Sequence, residues 1–191
     1  MKHILICSIN DLDRYSALAA EFWTEYKESF PYAERRAGES IRALLDREGS
    51  AFYILFFVDE SDGGLAAFAV LHSLPTFEYI EYLCVPARRR SGGLGAKVLD
   101  EISNLTGKAL VLEAEPPFSN DWADRRIAFY RRNGFSLIDT PYIQPPYHDD
   151  ADSVELRLMV RGDYPMTDSP ASDLYRHVYA LPSDHPLFLS L

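Results

Sequence analysis

The sequence predicts an α/β fold in which helices and strands mix around one central sheet, mostly antiparallel, with helices on both faces. Three observations carry this. Apolar runs at residues 51–60, 65–74 and 77–85 follow one another across short turns, so they should pair as antiparallel neighbours. A strand, a glycine-rich turn and a helix then lead from residue 77 to another apolar run at 109–113, which is the length of a parallel crossover. These runs are apolar at nearly every position, the pattern of a sheet buried on both sides.

Length and composition bound the rest. A chain of 191 residues with 47% hydrophobic and 25% charged residues fits one globular domain; we divide it into a domain, 1–161, and a C-terminal tail, 162–191. The net charge of -10 disfavours nucleic-acid binding and suits a cationic ligand. Cys7 and Cys84 both sit in apolar runs, so a disulfide framework is not expected and a reducing, cytoplasmic compartment is. The apolar start, Ile4-Leu5-Ile6, is too short for a signal peptide, and no run approaches the ~18 residues of a membrane span. His3, His72, His148, His177 and His185 lack metal-ligand spacing, so no metal is expected.

In chain order, residues 2–8 read as a strand. Asn10-Asp11 signals a helix start, and Leu12, Tyr15, Leu18, Ala19, Phe22, Trp23 and Tyr26 then recur at three- and four-residue steps along one long helix that Phe30-Pro31 ends. The aromatic stripe reads as core. A second helix, 36–48, carries Ile41, Leu44 and Leu45. The three strands follow, with Ser61-Asp62-Gly63-Gly64 as a hairpin turn. The crossover helix, 96–105, should point Val98, Leu99, Ile102 and Leu105 inward and close at Thr106-Gly107. After the strand at 109–113 comes a helix over 122–133, stopped by Asn133-Gly134, and then strands at 135–139 and 153–160. Between them lies a loop, Tyr142-Ile143-Gln144-Pro145-Pro146-Tyr147, followed by His148, Asp149 and Asp150. It could select a substrate or simply be a solvated connection. The tail holds a helix at 172–181 and an apolar end, Pro186-Leu187-Phe188-Leu189, which should pack on the domain or on a second subunit of a homodimer.

The chemistry concentrates at 80–99. Leu83-Cys84-Val85-Pro86 ends a strand. Arg88-Arg89-Arg90-Ser91-Gly92-Gly93-Leu94-Gly95-Ala96 is a basic glycine turn that opens a helix, an arrangement that offers backbone N–H groups and the helix dipole to a phosphate. Neither G-x-x-x-x-G-K-[ST] nor G-x-G-x-x-G is present. The R-x-x-G-x-G of Arg90 to Gly95 resembles the acetyl-CoA loop of the GNAT N-acetyltransferase family. Downstream, Phe129-Tyr130-Arg131-Arg132-Asn133-Gly134-Phe135 resembles the family's F-Y-x-x-x-G-F element, in the same order and with a strand between. Two positions depart: the family's frequent asparagine is Ala123 here and its frequent alanine is Arg126.

The resemblance implies an acyl-CoA N-acyltransferase-like fold and acetyl-CoA as co-substrate. It implies that the CoA pyrophosphate sits on the amides of Arg90, Ser91, Gly92, Gly93, Gly95 and Ala96. Pantetheine would lie along Leu83, Cys84 and Val85, exposed where two parallel strands splay at a bulge, and Arg88 and Arg89 would attract the phosphates. The acceptor would be a small-molecule or peptide amine, attacking directly in a ternary complex. Tyr130 is implied as the acid that protonates the thiolate; on its helix it could equally be a packed aromatic. For the base, Glu81 is the first candidate, because burial on a strand should raise its pKa, or else it forms a structural ion pair. Alternation puts Glu81 on the face of Tyr79 and Leu83, and Glu78 opposite. Glu113 and Glu115 are further candidates, and a water chain could replace any of them. Cys84 as an acyl carrier competes with an inert buried thiol. A non-catalytic CoA-binding module with the same fold, or an unrelated phosphate-binding protein, remain the alternatives to an enzyme.

Overall fold

The computed structural model describes residues 1–164 and 170–190. Strands β1 (Lys2–Ile6), β2 (Phe52–Val58), β3 (Leu65–Ser73), β4 (Phe77–Cys84) and β5 (Ala109–Ala114) run in sequence order across one sheet, followed by β8 (Val154–Arg161) and β6 (Ser136–Leu137). A short strand, β7 (Tyr142–Gln144), pairs with the far end of β8. All pairs are antiparallel except β4 with β5. The parallel pair is the one joined by the glycine turn and helix α4 (Leu94–Thr106), as a crossover requires.

Helices cover both faces. On one, α1 (Ile9–Arg14), α2 (Ser16–Ser29) and α3 (Gly38–Asp46) bury Leu12, Phe22, Tyr26, Ile41 and Leu45 against Ile54, Phe56, Phe68 and Tyr82. On the other, α4 and α5 (Asp121–Arg132) bury Val98, Leu99, Ile102, Ile127 and Tyr130 against Leu55, Phe57, Leu71 and Leu112. β2, and β3 as far as Leu71, are apolar and almost entirely buried because neither side meets water.

The structure departs from the sequence expectations in several places. The first long helix is two helices. Ser8, not Asn10, caps the first: its Oγ accepts from the Asp11 N–H, while Asp11 Oδ2 accepts from the Cys7 N–H. The chain breaks at Tyr15, whose ψ of 40° ends one helix and starts the next. Leu105, expected to point inward, is 46% exposed. The proline-rich loop contains a strand, because Tyr142 and Gln144 are buried against β8. The C-terminal helix is shorter than expected: α6 (Pro170–Asp173) and a π turn at Leu174–Val178.

That C-terminal segment is built into the domain. Leu174, Tyr175 and Val178 pack against Tyr79, Val111 and Leu158, and Tyr175 stacks on Tyr142 at 5.4 Å. Phe188 meets Tyr175 edge-on; the side chain of Leu189 lies outside the described residues. No helix among the described residues is long and apolar enough to cross a membrane.

Phe22 is fully buried and contacts Trp23, Tyr26, Phe56 and Phe68 with ring centroids 4.7 to 5.7 Å apart. Phe22→Ala is expected to destabilise the protein by about 3–5 kcal/mol. Urea denaturation followed by tryptophan fluorescence measures it; a loss below about 1 kcal/mol would mean that the α2 face is not part of the core.

Candidate active site

The site begins with one extra residue in β4. Leu71 pairs with Ile80 but Val70 pairs with Tyr82, so Glu81 is an unmatched bulge residue. Beyond it, the ladder between β4 and β5 stops: pairing runs from Phe77 with Ala109 to Ile80 with Leu112 and no further. β4 continues on β3 to Cys84, and β5 continues on β8 to Ala114. The two parallel strands therefore part, and a cavity of about 740 Å³ opens between Glu81–Val85 on one side and Glu113–Glu115 on the other. Among the described residues, no strand pairs with the inner edge of Leu83 and Cys84 that faces it.

The bulge also corrects the assignment of faces. Alternation would put Glu81 with Leu83. Instead Glu81 shares a side with Tyr79 and His72, Tyr82 and Cys84 turn toward α2, and Leu83 packs with the α4–α5 core. Glu81 is not raised by burial. Arg36 Nε donates to Oε1 at 2.7 Å, the Tyr147 hydroxyl to Oε1 at 2.6 Å, and His72 Nε2 lies 3.0 Å from Oε2. Burial pushes the carboxyl up, but Arg36 and His72 outweigh it and hold the pKa at about 2. Arg36 belongs to the loop before α3, not to the arginines of the turn.

The glycine turn closes one end of the cavity. After Pro86 a short 3-10 turn leads to Arg90, whose Nε donates to the Val85 carbonyl at 2.9 Å. Ser91 and Gly93 have φ of 76° and 70°, which reverses the chain so that α4 begins pointing at the cavity. The first helical bond of α4 is Lys97 N–H to Gly93 C=O, so the amides of Leu94, Gly95 and Ala96 precede it. A Cβ on Gly95 would come within 3.0 Å of the Phe129 ring, so glycine permits α4 and α5 to meet there. Of the three arginines, only Arg90 lines the cavity. Arg88 binds Glu21 and Glu25 of α2, and Arg89 binds Asp59 and Asp62 of the hairpin, which corrects the expectation that they attract phosphate.

Opposite the turn, α5 starts at Asn120, whose side chain accepts from the N–H of Trp122 and Ala123. It brings Phe129 and Tyr130 to the cavity wall. The Tyr130 hydroxyl makes no hydrogen bond among the described residues, and burial pushes its pKa up to about 12. Ala123 is fully buried, and Arg126 pairs with Glu115 at 2.7 Å. Cys84 is buried with Ser29 Oγ 3.2 Å from its sulfur, and burial pushes the thiol up, which disfavours an acyl-cysteine. No group of three metal-ligating side chains occurs among the described residues.

Sequence reasoning missed a polar chain behind the bulge. The Tyr147 hydroxyl lies 3.0 Å from that of Tyr179, and Tyr179 donates to Glu113 Oε1 at 3.4 Å. Tyr147 thus lies inside, while His148 turns out to stack on Tyr32 at 4.0 Å. Glu113 lines the cavity, and burial raises its pKa to about 7 against the pull of the Tyr142, Tyr79 and Tyr179 hydroxyls. Glu34 also lines the cavity; its carbonyl accepts from the Tyr82 hydroxyl at 3.2 Å, while its carboxylate has no hydrogen bond or ion pair among the described residues and is raised by burial and by Glu115. Arg36, Tyr147 and Tyr179 come from three distant segments, so no local spacing could have found them.

Comparison with known proteins agrees with this geometry. Residues 15–135 match the model of the Acetyltransferase (GNAT) family. A Bacillus subtilis protein named as an acetyltransferase, YjbC, is 28% identical over 115 residues, which are 60% of this chain and 56% of that protein; the match therefore spans little more than half of that relative's length. A GNAT-family acetyltransferase structure from Bacteroides thetaiotaomicron is 29% identical, with a TM-score of 0.81, covering 95% of this chain and 100% of that one. The ribosomal-protein-S18-alanine N-acetyltransferase of Escherichia coli has a TM-score of 0.54 at 18% identity, covering 88% of this chain and 99% of that one, which is likeness of fold.

Glu81→Gln leaves Arg36 buried without its anion and is expected to cost about 3–5 kcal/mol at pH 7. Because folding lowers the pKa of Glu81 from the ordinary ~4.3 to about 2, its contribution is complete above pH 4.3 and is lost as pH falls toward 2. Urea titrations of both proteins across that range should show the gap narrowing; a gap constant with pH would contradict the ion pair.

Proposed function

We propose, from the premise that this chain belongs to the GNAT family of acetyltransferases, that it is an acetyl-CoA-dependent N-acetyltransferase acting on a primary amine by direct attack in a ternary complex. One observation carries the reading: the parting of β4 from β5 opens a cavity that ends at the glycine turn and has the unbonded Tyr130 hydroxyl on its wall. In this reading the CoA pyrophosphate binds the amides of Arg90, Ser91, Gly92, Gly93, Gly95 and Ala96, where the helix dipole favours an anion. Pantetheine bonds the open edge at Leu83, Cys84 and Val85 as an added strand would. A backbone N–H of that edge stabilises the oxyanion as the amine adds to the thioester.

Tyr130 supplies the proton to the departing thiolate. Its high pKa keeps it protonated wherever an amine is nucleophilic. Glu81, whose carboxylate is buried against three partners and stays ionised to about pH 2, is given a positioning role. The acceptor, a small-molecule or peptide amine, enters past Phe30 and Glu34, where an unpaired carboxylate suits an ammonium group. Two free cysteines suit a reducing, cytoplasmic setting.

Isothermal calorimetry should detect acetyl-CoA binding, and thiol release should report transfer to a panel of spermidine, kanamycin, lysine and an alanine-terminated peptide. Tyr130→Phe should keep acetyl-CoA affinity within about threefold and lower kcat about 10²-fold. Absence of acetyl-CoA binding by the wild type would refute the reading; binding without turnover of any amine would leave a CoA-binding module in its place. Gly95→Val should weaken acetyl-CoA at least tenfold, because its side chain meets Phe129.

A further inference from the structure

We propose that Glu113 takes the proton from the acceptor's ammonium group and that Tyr179, carried in by the C-terminal segment, positions it. This rests on the acetyltransferase reading above. Four carboxylates line the cavity, and three are otherwise placed. Glu81 is saturated by Arg36, His72 and Tyr147. Glu115 is held by Arg126. Glu34 ends the 3-10 turn Tyr32–Glu34 after α2 and is assigned above to the acceptor's entry. Glu113 is the first residue of β5 beyond the ladder with β4, half-buried at the cavity, and it pairs with no cation among the described residues.

What surrounds Glu113 is a cage of hydroxyls. Tyr79 comes from β4, Tyr142 from β7, Tyr179 from the C-terminal segment, and Tyr147 and Glu81 lie behind them. Tyr79 and Tyr142 are buried, and their hydroxyls have no well-formed hydrogen bond. Among the described residues, Tyr179 alone joins Glu113 to a fixed point: its hydroxyl meets Tyr147, which donates to Glu81, which is bound to Arg36. Arg36 in turn donates to the carbonyl of Val178, next to Tyr179. The chain from Arg36 back to Val178 closes a loop that locks the segment in place. Burial opposes ionisation of Glu113 and the hydroxyls favour it, and the balance near pH 7 is what a proton acceptor needs.

The proton balance is complete. The ammonium gives one proton to Glu113, leaving a neutral amine whose lone pair forms the C–N bond at the acetyl carbonyl. The C–S bond then breaks, the thiolate takes the Tyr130 proton, and the tyrosinate takes the remaining ammonium-type proton from the new amide nitrogen. Glu113 returns its proton to water in the cavity.

The test is made on the full chain with ¹³C-labelled glutamate side chains. The carboxyl resonance lost in Glu113→Gln should titrate near pH 7, and in Tyr179→Phe it should move upward by half a unit or more, because a donor to the carboxylate has gone. Tyr175→Phe, which removes a hydroxyl bonded to the Ile143 carbonyl in the same segment, controls for mere loss of packing and should leave it in place. With whichever amine of the panel is acetylated, Glu113→Gln should lower kcat about 10²-fold. Tyr179→Phe should shift the acidic limb of kcat to higher pH while KM for acetyl-CoA stays within twofold. A Glu113 resonance titrating near 4, or one unmoved by Tyr179→Phe, overturns the proposal. An empty amine panel overturns the transferase reading and the catalytic role with it, while the resonance still decides the contact.

Discussion

The site depends on the bulge at Glu81. An antiparallel ladder continued without it would keep β4 straight against both neighbours, and the parallel pair would have no reason to part. The extra residue turns two consecutive side chains, Glu81 and Tyr82, to one side and shifts the register with β3. That local kink ends the β4–β5 ladder at Ile80 and Leu112 and exposes backbone donors and acceptors along a strand edge. A buried charge at the kink would be costly alone, which is why Arg36, His72 and Tyr147 converge on it.

The same convergence divides the labour between two carboxylates one strand apart. Glu81 faces a guanidinium and is held far below the ordinary range; Glu113 is ringed by hydroxyls with the Glu81 charge beyond them, and burial holds it above that range. Two like groups take opposite roles because one environment supplies charge and the other supplies dipoles. The C-terminal segment joins them through Tyr179, so a stretch that looks like an appendage in the sequence supports, from behind, a carboxylate that lines the cavity.

The basic turn shows how proximity in sequence can mislead. Arg88, Arg89 and Arg90 are adjacent, yet two of them face away from the cavity and tie the turn to α2 and to the β2–β3 hairpin. Their work is to hold the turn's outer side, leaving Arg90 and the backbone amides on the inner side. The acidic partners, Glu21, Glu25, Asp59 and Asp62, account for part of the chain's negative balance, which is therefore partly internal.

The sequence by itself determined every strand but β7, the antiparallel order of β2 to β4, the single parallel crossover, the glycine turn and the helix bearing Tyr130. Each of these rests on local signals: apolar runs of strand length, turn residues at their ends, and glycines where φ must be positive, as at Gly93. It also offered Glu81, Glu113, Glu115 or a water chain for the base. It did not determine which way Glu81 points, because a bulge breaks the two-residue period on which that inference depends. Nor did it reveal Arg36, Tyr147 and Tyr179, which lie 45, 66 and 98 positions from Glu81. Only packing brings them together, and only their charges and hydroxyls decide that one carboxylate stays ionised and the other titrates near neutrality.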